Sequence, residues 1–92
     1  MTRVNITRGD IYMGLNLNIY EVAASNIKKY RKKAKLTQKQ LAELTDYSHE
    51  YIRRIEAPKC KNSFTIESVY VISKALGVPM YMMFETKKES ND

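Results

Sequence analysis

From Ile19 onward the apolar residues of the chain recur at helical spacing. Ile19, Ala23, Ile27, Tyr30 and Ala34 follow one another at steps of four, four, three and four, which places them on one face of a helix over about 19–34. A second helix is predicted over about 38–45. Thr37 and Gln40 form a capping box at its start, and Leu41, Ala42 and Leu44 supply its buried side. The run Thr45-Asp46-Tyr47-Ser48 then breaks the pattern, because three of its residues compete for backbone hydrogen bonds. Ser48 is a new N-cap for a third helix over about 49–56, which buries Ile52 and Ile55. Ala57 to Ser63 reads as a basic loop containing Pro58, with Ser63 or Thr65 as the next cap. A fourth helix over about 65–75 carries Ile66, Val69, Ile72, Ala75 and Leu76 on its apolar side and stops at Gly77. Pro79, with φ preset for a first helical turn, starts a short fifth helix over about 79–84.

The flanks are different in kind. Residues 1–18 have no helical stripe and hold Gly9 and Gly14, so they read as an N-terminal arm. Val4 to Thr7 could pair with Ile11 to Met13 about a turn at Arg8-Gly9-Asp10. An isolated hairpin is marginal in water, so such a pair would need the body or a second subunit to hold it. Thr86 to Asp92 is a polar tail. The expected organisation is therefore an arm over 1–18, one all-α domain of five helices over 19–85, and a tail over 86–92.

Length and composition narrow the reading. Ninety-two residues allow one modest core, and 43% hydrophobic with 28% charged residues suits a folded domain. Charge is unevenly placed within the net +6. Residues 27–61 contain eleven Lys or Arg (Lys28, Lys29, Arg31, Lys32, Lys33, Lys35, Lys39, Arg53, Arg54, Lys59, Lys61) against four acids, a local +7, and the rest of the chain carries −1. Such a concentration suits a polyanion, and nucleic acid and an anionic membrane surface are both consistent with it. No apolar run approaches the ~18 residues that span a bilayer, and the N-terminus lacks the order of a signal peptide, so a cytoplasmic protein is expected. Cys60 is the only cysteine and His49 the only histidine, which leaves no ligand set for a metal and no nucleophile, base and acid for catalysis. No cofactor is expected. RNA binding is disfavoured by the lack of an aromatic stacking platform on a sheet.

Two eight-residue helices joined by a short turn are too short to stand alone, so they pack against the other helices and leave the outer face of the second projecting. A lone projecting helix fits a DNA major groove about 12 Å wide. The residues in this region, Leu36-Thr37-Gln38-Lys39-Gln40-Leu41-Ala42-Glu43-Leu44, then Tyr47-Ser48, Ile52-Arg53-Arg54-Ile55-Glu56, Leu76-Gly77-Val78 and Phe84, resemble the Cro and lambdoid-repressor type, or XRE family, of helix-turn-helix proteins. The resemblance covers about 20–84. It implies a five-helix lambda-repressor-like domain and a transcriptional regulator, a repressor that binds a palindromic operator on double-stranded DNA as a homodimer. The alternative is an antitoxin or other protein-interaction module whose DNA binding serves autoregulation.

Residue by residue, the resemblance implies base contacts from Gln38, at the edge of the site, and from His49, Glu50 and Arg54 on the third helix. Arg suits a bidentate contact with guanine, and Glu can accept from cytosine N4. Lys39, Tyr51, Arg53, Lys59 and Lys61 would line the phosphates, fixing register without reading sequence. Arg31 and Glu56 are implied to form a buried ion pair. The plainer reading of Glu50 and Arg54, at i and i+4, is a surface salt bridge, and that of the helix 1 lysines a solvated face. Two positions depart from the family pattern: Asp46 stands where the turn often has Gly, and Ala57-Pro58-Lys59-Cys60-Lys61-Asn62 replaces a Gly-containing loop. Tyr81 and Met82 exceed what a five-residue helix can bury on one side and are candidates for a dimer contact.

Overall fold

The computed structural model describes residues 18–57 and 64–86. Residues 1–17 of the expected 1–18 arm, its hairpin, residues 87–92 of the expected 86–92 tail, and the loop residues 58–63, with Pro58, Lys59, Cys60, Lys61 and the cap candidate Ser63, lie outside the described residues. Four α-helices, α1 (Ile19–Lys33), α2 (Gln38–Thr45), α3 (His49–Glu56) and α4 (Ile66–Leu76), are followed by a 3₁₀ helix over Met80–Phe84. The fifth helix is thus a tighter element than the α-helix expected there. Asn26 on α1 donates from Nδ2 to the carbonyls of Met83 at 2.7 Å and Glu85 at 3.0 Å, which fixes the end of this short segment from outside it.

Local chemistry starts and stops each helix. Asn18 caps α1 by accepting from the backbone N–H groups of Tyr20 and Glu21. Lys35 adopts a left-handed φ of 63°, and Leu36 N–H returns to the Arg31 carbonyl at 3.1 Å, closing the helix without a glycine. At α2 the capping box is complete: Thr37 Oγ1 accepts from Gln40 N–H at 3.0 Å, and Gln40 Oε1 accepts from Thr37 N–H at 2.8 Å. Asp46 ends α2 with φ 69°, so the left-handed turn forms on an aspartate. Ser48 caps α3 through Tyr51 N–H, Thr65 caps α4 through Ser68 N–H, and Gly77 ends α4 at φ 74°.

The core draws on every element: Ile27 from α1, Leu41 and Ala42 from α2, Ile52 and Ile55 from α3, Val69 and Ile72 from α4, and Met83 from the 3₁₀ helix. Some residues of the expected apolar faces are outside it, Ala34 at the end of α1 among them. Leu44 is 59% exposed and Ile66 67% exposed. At about 100° per residue, Thr45 falls between Leu41 and Ala42 on the inward face of α2, whereas Leu44 lies about 60° to the far side of Leu41. Thr45 is tolerated inside because its hydroxyl donates back to the carbonyls of Leu41 and Ala42. Ile66, the first residue of α4, sits at the edge of the stripe formed by Val69, Ile72 and Ser73. Ile19 is likewise half-exposed at the start of α1.

Candidate nucleic-acid interface

Alternation of inward and outward positions on α3 builds the site. Ile52, Ile55 and Glu56 are buried; Glu50, Arg53 and Arg54 lie on the other side of the helix and His49 at its open first turn, and all four are exposed. Tyr51 lies between the two faces. Its ring meets Tyr47 edge-on at 5.0 Å between centroids, and its hydroxyl is 2.7 Å from Ser68 Oγ on α4. The hydroxyl expected at a phosphate is therefore engaged within the domain, where it ties α3 to α4.

The α3 surface has its own electrostatic pattern. Glu50 pairs with Arg53, at i and i+3, rather than with Arg54. The hydrogen bond from Arg53 holds the Glu50 carboxyl below the usual glutamate range; desolvation opposes it, and the nearby charges of Arg53, Arg54 and His49 add to the lowering. Arg54 has no hydrogen-bond or ion-pair partner among the described residues.

Beneath the exposed face is a buried polar cluster. Arg31 donates from Nε to Glu56 Oε2 at 2.7 Å and from Nη2 to Glu56 Oε1 at 2.9 Å, a two-pronged pair in which the side chains are 9% and 1% exposed. Arg31 Nη1 also donates to the Leu36 carbonyl at 2.7 Å, in the loop before α2. Gln38 Nε2 reaches the same carboxylate, at 3.1 Å from Glu56 Oε1. One cluster thus joins α1, the loop before α2, the first residue of α2 and the last of α3. Gln38 is half-buried, and its Oε1 has no hydrogen-bond partner among the described residues.

Lys39 is exposed at the start of α2, beside Gln38. On α1, Lys29 and Lys33 lie over the Tyr30 ring, 5.0 and 5.6 Å from its centroid, which gives these lysines a local packing role. Tyr81 is 67% exposed and Met82 half-buried. Among the described residues no cluster of three His, Cys, Asp or Glu side chains is placed to hold a metal, and no helix is long and apolar enough to cross a membrane. The contributions of Asn26, Thr45 and Ser68 were not read from the sequence: each is a small polar residue inside an apolar helix face, a pattern that signals burial only once its hydrogen-bond partner is known.

A helix-turn-helix family model matches residues 27–81. No curated protein sequence matches the chain. Among solved structures the fold is similar to that of a hypothetical transcription factor, NHTF, from Neisseria, with a TM-score of 0.72 and 20% sequence identity over 80% of this chain and 83% of that one.

Proposed function

The chain belongs to the helix-turn-helix family, and from that premise we propose that it is a sequence-specific DNA-binding transcriptional regulator. The observation that carries this reading is the outer face of α3, where His49, Glu50 and Arg54 are all exposed while the opposite face is locked into the core. On this reading α3 enters the major groove. Arg54 makes the guanine contact, Glu50 and His49 read neighbouring base edges, and Gln38 reaches the border of the site with the part of its amide that Glu56 leaves available. Lys39, Lys59 and Lys61 hold the phosphates, and Arg53 supplements them when Glu50 exchanges it for a base. The domain carries out no catalysis.

The protein acts as a homodimer on a palindromic operator, one α3 per half-site about 34 Å apart, with Tyr81 and Met82 in the contact between copies, and it represses by occluding the promoter. Selection of bound sites from a random pool of duplex DNA tests the proposal. The expected product is a two-fold symmetric consensus with half-sites one helical turn apart, whose binding weakens steeply as salt rises. If no sequence is enriched, the reading as a regulator fails and a protein-interaction module takes its place.

A further inference from the structure

An apolar groove of roughly 150 Å³ opens between the start of α1 and the start of α4. Ile19 and Tyr20 form one wall, Phe64, Ile66 and Val69 the other, and Phe84 contributes from the 3₁₀ helix. Tyr20 and Phe64 meet edge-on across it, with ring centroids 5.2 Å apart. The rim is apolar as well, since Ile19 is 50% and Ile66 67% exposed. None of these residues belongs to the α3 face.

Two residues of the groove wall, Ile19 and Tyr20, follow directly on the N-terminal segment of the chain. Asn18, immediately before Ile19, is extended, with φ −93° and ψ 117°. The residues before it, Ile11-Tyr12-Met13-Gly14-Leu15-Asn16-Leu17, alternate without a break: Ile11, Met13, Leu15 and Leu17 occupy every second position. In an extended segment that period places all four side chains on one face, over about 20 Å at roughly 3.3 Å per residue. Helical geometry would scatter them. With no intervening linker, the groove sees this segment at a high effective concentration.

We propose that Ile11–Leu17 of the same chain lies extended in this groove, with Leu15 and Leu17 seated against Ile66, Val69 and Tyr20. The arm then completes the core without drawing on His49 or Arg54 of α3, and it covers apolar surface that would otherwise be open to water.

Methyl NMR on the full chain, labelled at Ile, Leu and Val, tests this. Nuclear Overhauser contacts are expected between the Leu15 or Leu17 methyls and those of Ile66 or Val69, unchanged on tenfold dilution and missing from isotope-filtered spectra of mixed labelled and unlabelled chains. Ile66→Asp, at a position exposed enough to leave the fold intact, should abolish them while the core methyls of Ile27, Ile52 and Ile72 keep their shifts. Leu15→Asp should do the same from the other side. Absence of arm-to-groove contacts in the unmodified chain would overturn the proposal. So would contacts found only between different molecules, which would make the occupant a second copy.

Discussion

Replacing Arg31 by Ala takes both donors away from a carboxylate that is 1% exposed and strips the Leu36 carbonyl of its side-chain partner. Glu56 is then left with the single neutral bond from Gln38. Removing one member of a buried pair costs about 3–5 kcal/mol, since the remaining charge stays desolvated and uncompensated. A single domain has only about 5–15 kcal/mol in total. At about 4–8 °C per kcal/mol for a domain of this size, the thermal midpoint of Arg31→Ala should fall by at least about 12 °C. Urea unfolding followed by far-ultraviolet circular dichroism measures the loss, with an unchanged slope showing that the denatured state is not what moved. The double variant Arg31→Met/Glu56→Leu should recover most of the stability, because it removes the charge together with its partner. A loss below about 1 kcal/mol in the single variant, the range of a solvated surface pair, would refute the reasoning.

Three further outcomes are expected. Arg54→Ala should reduce discrimination at one operator position by about 1–3 kcal/mol, whereas Lys61→Ala should weaken all sequences alike and flatten the salt dependence; binding titrations on matched and mismatched duplexes separate the two. Asp46→Gly should raise stability by about 0.5–1 kcal/mol in urea unfolding, because relief of left-handed strain at φ 69° exceeds the added backbone entropy of Gly, and a destabilised variant would contradict the strain argument. The Glu50 carboxyl should titrate below the ordinary glutamate range by NMR and move back up in Arg53→Gln. Because its folded value is the lowered one, the contribution of this pair is complete above the ordinary glutamate pKa and fades as pH falls through the lowered value.

Much of the frame was legible before any coordinates. Thr37 with Gln40, Ser48, Thr65 and Gly77 mark helix ends through bonds to their own neighbours, and Ile27, Leu41, Ile52, Ile55, Val69 and Ile72 repeat at the helical period. Such signals are local. The errors fall where a residue had to choose between two faces or two partners. Leu44 lost the inward place to Thr45, a polar residue with a backbone acceptor in its own helix, and Glu50 took Arg53 over Arg54 at nearly equal sequence distance. Lys35 carries the left-handed turn after α1 although nothing in its side chain advertises it.

What the amino-acid sequence determined by itself is therefore the set of helices, their caps and the basic middle of the chain, because these depend on residues three or four apart. The tertiary structure decided which polar groups are spent inside. It turned Tyr51 toward Ser68, bound Gln38 to Glu56, and left His49 and Arg54 facing outward. Those choices depend on packing between segments 17 to 25 residues apart, where burial makes an unpaired polar group too costly to leave and so selects the partner.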